Sequence, residues 1–335
     1  MNNKERKFWR YGIGVLFAMV ICMVLSVSNN AFAAEANVIE SGDYSAEGSN
    51  VTWSLVSNGV DTYKLIFSGN GDMCEERILV ENHDSAPWAG YVNSITEIEI
   101  KEGITNIGNN VFSCLEKLKK VSIASSVTRI EGRAFQQCTS LKTIKLPDGL
   151  TYIGWSAFNS CSKLNNVKIP DSVTQIDEYA FSDCAGLKKI ILSKNLLEIS
   201  EGLFFASHNL KTVKIPARVT KIGELAFSGK FKSMVIPDKV TEIGADAFGG
   251  CAQLSKITIG KNVRTIGKWA FYQTNIKSVN IKTTKLRKIG KGAFRDMHWD
   301  AITFKIAGNK KQRKATIKLL KKKSVGYEKG AWIFK

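Results

Sequence analysis

Three cysteines, Cys138, Cys161 and Cys184, stand 23 residues apart, and Cys251 repeats their setting. Thiols at a fixed spacing suggest three chemistries: a disulfide, a metal site or a nucleophile. Each of the four lies three residues after a phenylalanine, and Cys114 lies two after one. Equivalent positions in stacked units are about one strand spacing apart, close enough for a disulfide. Yet the same site holds Ser207, Thr274 and Met297 in other units. That substitution pattern marks a small buried side chain, and reduced core cysteines are expected. A metal needs ligands that converge, and a single file without histidine does not converge. Cys74 stands alone.

The remaining candidates for catalysis are sparse. His83, His208 and His298 are scattered, and no G-x-S-x-G nucleophile elbow exists. "SGNGD" at 68–72 has the glycines of a phosphate loop but no following Lys-Ser/Thr, so a tight hairpin turn is expected there. The acidic pairs Asp177–Glu178 and Glu75–Glu76 read as solvated charge in turns. No enzyme, no cofactor and no metal is expected.

Binding chemistry is better represented. The formal charge is +18, and it is unevenly placed. Residues 36–100 carry −9, residues 101–304 carry +15 and residues 305–335 carry +10. Lys120, Lys145, Lys168, Lys189, Lys214 and Lys256 fall between apolar positions of short strand-like runs, with Thr143, Asn166, Thr212 and Ser278 beside them. Alternation along a strand sends these side chains outward. Lys145 and Lys168 occupy one site in consecutive units, and stacked like charges repel unless salt or an anion screens them. Two readings stand: a lysine-rich face that keeps the protein soluble, or a face for a polyanion such as wall teichoic acid, an acidic glycan, a sulfated mucin or an acidic protein. Nucleic acid is not expected, because few aromatics interleave with these lysines.

The elements that must carry these residues come from a repeat. An "I-G-x-x-A-F" core recurs with isoleucine at 107, 130, 153, 176, 199, 222, 243, 266 and 289, and phenylalanine stands five residues after each. The step is 23 residues throughout except for one of 21, between Ile222 and Ile243. Between the cores lies an L-x-x-I-x-I run, as in Leu141/Ile144/Leu146 and Leu164/Val167/Ile169. It is weakened at Phe231/Met234/Ile236 and Trp299/Ile302/Phe304, and an early copy opens at Ile95/Ile98/Ile100. Proline ends several of these strands because it has no N–H for a ladder, and "V-T-x-I-G" turns the corner. One unit alone exposes its apolar face, so the units must stack. Ten strands at roughly 4.8 Å spacing would make a sheet about 45 Å long.

The 23-residue "C-x-x-L-x-x-I-x-I-P-x-x-V-T-x-I-G-x-x-A-F" unit resembles the BspA-like leucine-rich repeats of bacterial secreted and surface proteins. The segment before it, "NVTWSLVSNGVDTYKLIFSGNGDM", resembles a module that often precedes such arrays, though a cysteine common near that module's start is absent from "SGDYSAEGSN". The resemblance implies surface display and binding, with no reaction and no shared ligand site. The fold class expected is a mostly β repeat solenoid of α/β type. It is a right-handed leucine-rich-repeat superhelix with one parallel sheet, an N-terminal β-hairpin cap and a C-terminal helix–strand cap.

Four segments follow. Residues 1–34 read as a signal peptide: basic "MNNKERKFWR", an apolar run, then "NNAFAAEA" with cleavage after Ala33 or Ala34. An uncleaved anchor is the alternative, since the apolar run is about long enough to span. Cys22 follows Ile21 and so lacks a lipobox. No second membrane run and no wall-sorting signal follow. Residues 35–93 form an N-terminal cap, with Val51–Leu55 and Tyr63–Phe67 as a hairpin. Residues 94–304 form about nine repeats, and 305–335 a second cap, with a helix near 311–323 and a last strand Ala331–Phe334. The lysines of that cap suggest a membrane-surface grip as the alternative. Trp155, Tyr179, Trp269 and Tyr272 lie in or beside the "I-G-x-x-A-F" turns, where they pack on the neighbouring coil or stack on a sugar.

The function expected is a secreted or cell-surface binding and adhesion module, its expected binding face comprising Lys120, Thr143, Lys145, Asn166, Lys168, Lys189, Thr212, Lys214 and Lys256. The alternative is a wall-associated protein held by charge alone on anionic polymer. A hydrolase with an unrecognised site is a third class. The sequence sets no oligomeric state.

Overall fold

The computed structural model describes residues 38–74, 86–297, 301–326 and 332–335. The described residues of Val38–Lys335 form one compact unit. The expected leader at 1–34, Glu75–Glu76, His83, His298 and Trp299 lie outside the described residues.

Each repeat is one coil, and three lines of contact bind coil to coil. The first is a column of phenylalanine rings. Phe112, Phe135, Phe158, Phe181, Phe204, Phe227, Phe248, Phe271 and Phe294 are all buried. Successive centroids lie 4.9 to 6.4 Å apart, mostly near parallel. This is the offset geometry that aromatic quadrupoles favour. The backbone follows the rings: Phe135 N–H donates to Ala157 O at 2.8 Å and Phe158 N–H to Ala180 O at 2.9 Å, coil after coil. The 21-residue step leaves the column intact, since Phe227 and Phe248 are its closest pair at 4.9 Å.

The second line is a ladder at the corner that "V-T-x-I-G" turns. Short strands ending at the repeat isoleucine, four residues at Ile104–Ile107 and two in the later coils, pair in parallel, as Ile107↔Ile130↔Ile153↔Ile176 and again Ile199↔Ile222↔Ile243↔Ile266↔Ile289. The glycine after the isoleucine is a packing requirement here. A Cβ on Gly267 would stand 2.4 Å from Ala245 N, and one on Gly290 2.4 Å from Lys268 N. Between Ile176 and Ile199 the ladder breaks. Ser200 stands in the glycine's place, and its hydroxyl donates to the Ile176 carbonyl, an acceptor that elsewhere receives a backbone N–H, as Ile199 O does from Gly223 N–H at 2.7 Å.

The third line is the sheet of the L-x-x-I-x-I runs. Strands Ile95–Ile100, Lys120–Ile123, Asn166–Lys168, Lys189–Ile191, Ser233–Val235, Lys256–Ile259, Ser278–Ile281 and Ile302–Ile306 face one way. One continuous sheet was expected, and the structure corrects this: the face divides into three sheets, interrupted at residues 142–146 and again near 211–215, where a single parallel bridge, Lys189↔Thr212, remains. The inward residues there, Leu141, Ile144, Leu146, Leu210 and Ile215, remain buried. Coil spacing is already set by the rings and the second ladder, so this face can open without losing alignment.

The ends are covered by different means. At the start, β1 (Val38–Asp43), β2 (Thr52–Gly59) and β3 (Thr62–Ser68) extend the sheet, with β2 and β3 as the expected hairpin and β1 an additional antiparallel edge. Trp88 and Phe67 seat on Phe112. The "SGNGD" stretch is not a hairpin turn but a corner: β3 lies in the main sheet, whereas Gly71–Asp72 pairs with the Ile104–Ile107 strand of the second ladder. Gly69 makes the bend at φ +111°, where a Cβ would strike Asn50 O at 2.0 Å. At the other end, α1 (Lys310–Leu320) starts in a capping box of Asn309 and Gln312. Ser324 and Val325 carbonyls then accept from Gly292 and Phe294 N–H, 2.6 and 3.0 Å, closing the Phe turn. Trp332–Phe334 pairs with Ile302–Ile306 as the last strand.

Candidate functional site

Alternation on the main sheet places the candidate residues at solvent. Lys120, Thr143, Lys145, Asn166, Lys168, Lys189, Thr212, Lys214 and Lys256 are all exposed, while Val121, Ile144, Val167 and Ile190 between them are buried. Pairing aligns them in columns. Asn166 stands opposite Lys189, and Lys168 opposite Ile191.

Charge along this face is not uniform. At its N-terminal end acidic partners neutralise the lysines: Lys120 Nζ lies 3.5 Å from Glu97, and Lys64 pairs with Glu99. Glu99 is held below the usual carboxylate range, first by its bond from Lys64. Beyond that point Lys145, Lys168, Lys189, Lys214 and Lys256 form no ion pair among the described residues. Lys145, Asn166, Lys168 and Lys189 rim a hollow of about 470 Å³ with Leu146 and Ile191 at its side. A second hollow, about 740 Å³, is lined by Lys211, Thr212, Lys230 and Lys232 around Phe231. Sequence alternation located the lysines but not two exposed aliphatics among them, Ile191 at 47% and Val235 at 61% exposure.

The thiols do no surface chemistry. Cys138, Cys161, Cys184 and Cys251 are buried and unbonded to one another. Each Sγ donates to a phenylalanine carbonyl of the preceding coil: Cys138 to Phe112, Cys161 to Phe135, Cys184 to Phe158, at 3.1 to 3.2 Å, and Cys251 to Phe227 at 3.5 Å. Ser207 makes the same bond to Phe181 at 2.8 Å. Burial pushes all four thiols up, Cys251 to about 12, which suppresses the thiolate. Cys114 is half-buried and donates to Gln137.

The other candidates are accounted for locally. Asp177 accepts from Tyr152 Oη at 2.5 Å and from Gln175 at 2.7 Å. His208 is exposed. Among the described residues no three of His, Cys, Asp and Glu gather as metal ligands would. Tyr179 and Trp269 pack over Gly202 and Gly292 of the next coil, where a Cβ would lie 2.2 and 2.4 Å from their rings. Trp155 is more open, 41% exposed, beneath the Arg133 guanidinium at 4.2 Å.

Comparison with known proteins agrees with this geometry. The description of the BspA type leucine rich repeat region matches residues 105–231 and 228–315, in six copies. No curated protein sequence matches. Among solved structures, a leucine-rich repeat protein from Bacteroides ovatus superposes with a TM-score of 0.51 at 22% identity, covering 82% of this chain and 85% of that one. One from Eubacterium ventriosum gives 0.42 at 20%, covering 79% and 87%. A leucine rich cell surface protein from Faecalibacterium prausnitzii gives 0.43 at 23%, covering 84% and 78%. With its repeats matched over more than half its length and each folded as one coil, the chain belongs to the BspA type leucine-rich-repeat family.

Proposed function

We propose that this protein acts at the cell surface or outside the cell as a binding module, and that its main sheet face holds an anionic polymer. The observation that carries this reading is the set Lys145, Lys168, Lys189 and Lys214, exposed and unpaired in four successive coils. Lys145 and Lys168 occupy equivalent positions one strand spacing apart, where like charges repel by about 1 kcal/mol in water; Lys214 lies further along that column beyond Ile191, and Lys189 stands in the neighbouring column opposite Asn166, so a polyanion laid across the face meets all four. The signal-peptide reading of residues 1–34 supplies the route outward, and no described helix is long and apolar enough to cross a membrane.

A specific macromolecular partner is the second reading. Ile191 and Val235 favour it, because a purely electrostatic surface has no use for exposed aliphatics. Salt separates the two. Charge-held protein leaves purified cell walls at moderate ionic strength, and reversing Lys145, Lys168 and Lys214 to glutamate abolishes its retention. A partner recognised by shape stays bound in salt and is lost instead with Ile191→Ser and Val235→Ser. A wall-retention and glycan-array assay at two salt concentrations tests both. Both readings share the premise that the protein binds without catalysing a reaction. Turnover on a glycan or peptide panel would contradict it.

A further inference from the structure

The second ladder has an outer face of its own, and its character is opposite to that of the lysine face. A groove of about 870 Å³ runs along it across six coils, from Thr174 to Lys291. Its charge is segregated. The residue two after the repeat isoleucine is Glu178, Glu201 and Glu224 in three successive coils, then Ala245, then Lys268 and Lys291. All five charged members are exposed or line the groove at its surface. Stacked coils set them roughly 4.8 Å apart. The three carboxylates act on one phenol: Tyr179 is raised to about 12, first by its hydrogen bond to Glu201, with Glu224 and Glu178 adding to the effect. The ion pair found in the groove joins Lys221 to Glu198 at 2.8 Å, with Glu242 and Glu178 acting on the same ammonium from further off, so Glu178, Glu201 and Glu224 form no ion pair of their own among the described residues. Beside the row, Leu197 breaks a column of threonines and is 51% exposed.

We propose that this groove docks an extended polypeptide segment of a partner protein, with cationic residues over Glu178, Glu201 and Glu224 and acidic residues over Lys268 and Lys291. The segregated charge selects the occupant. A polyanion is repelled by the glutamate row, a polycation by the lysine end, and a neutral glycan gains from neither. A polypeptide carries both signs in blocks, and an aliphatic side chain for Leu197 as well. Complementary blocks of charge fix register and exclude wrong partners more than they add affinity. The groove and the main sheet face use different residues, so one molecule holds a polymer on one face and a protein on the other. The groove proposal stands whether or not the lysine face binds polymer.

The test uses two fluorescein-labelled peptides of one composition, four Lys followed by four Asp, or the same eight residues alternating. Fluorescence anisotropy with the whole protein at low salt is the readout. The expected result is tighter binding of the block peptide by about threefold or more. The double variant Glu201→Gln/Glu224→Gln weakens the block peptide by about threefold to tenfold, and Lys291→Gln weakens it independently. Glu116→Gln, exposed in another part of the array, leaves it unchanged. Equal affinity for the two peptides, no detectable binding of either, or indifference to both groove variants would overturn the proposal. Thermal melts of each variant confirm that a loss is not unfolding.

Discussion

At the scale of the residue, the cysteines show how a chemical spacing becomes a structural one. Their position favours a small side chain with a proton to give, and the cysteines and Ser207 give it to a phenylalanine carbonyl of the coil below. Cys161→Ser therefore keeps stability within about 1 kcal/mol, as Ser207 does in its own coil, whereas Cys161→Ala leaves the Phe135 carbonyl with only the Cys138 N–H at 3.3 Å and costs about 0.5–1.5 kcal/mol; urea melts measure both. Native protein treated with a thiol reagent at pH 8 leaves Cys138, Cys161, Cys184 and Cys251 unlabelled, and denaturation releases all four to the reagent. Size was readable from the Cys/Ser/Thr alternation at this site. The acceptor was not, because it lies 24 to 26 residues earlier and becomes a neighbour only once the coils stack. Carboxylates make a similar link: Glu102 accepts from Ser125 and Ser126, Asp171 from Lys194 N–H and Asp238 from Lys261 N–H in the coil above. These bonds, with Lys194 and Lys261 beside two of them, hold all three below the usual carboxylate range. Folded values below unfolded ones give stability that is present above about pH 4 and lost as pH falls through the lowered values. An acid titration of wild type against Asp171→Asn/Asp238→Asn is expected to show less acid sensitivity in the variant.

At the scale of the element, the coil is fixed by what it cannot tolerate. Gly267→Ala puts a Cβ 2.4 Å from the backbone of Gly244 and Ala245, and the overpacking costs about 1–3 kcal/mol. Phe158→Ala removes a ring stacked on both sides, at 5.3 and 5.2 Å, and costs about 3–5 kcal/mol. Denaturant midpoints check both. The period, the inward positions and the proline stops were legible because each is a matter of side-chain type at fixed spacing. The second ladder was not, since two-residue strands leave no alternation to see. Nor were the turns: the third residue after every repeat isoleucine has positive φ, from +49° at Asp246 to +65° at Gly292, and it is glycine only twice. Arg133, Leu225 and Trp269 give no sign in their own chemistry of a left-handed backbone, which ordinarily disfavours a Cβ by about 1–2 kcal/mol. Stacking of the coils over-determines it.

At the scale of the whole molecule, the sheet-face lysines were legible and their neutralisation was not. Glu97 and Glu99 come from the strand that opens the array and reach Lys120 and Lys64 through pairing across the sheet. The free cationic surface is thus shorter than the sequence implied, beginning at Lys145. The groove on the second ladder went unseen for the same reason as the ladder itself. The most direct measurement of the central claim is the salt dependence of binding to a purified phosphate-containing wall polymer, for wild type and for Lys145→Glu/Lys168→Glu/Lys214→Glu. Counterion release predicts a linear fall of log affinity with log salt for wild type, with a slope of about −2 to −4 for three or four contacts. In the variant, affinity should drop at least tenfold and the slope flatten, while the melting temperature is unchanged. Equal affinity and equal slope for the two proteins would contradict the account.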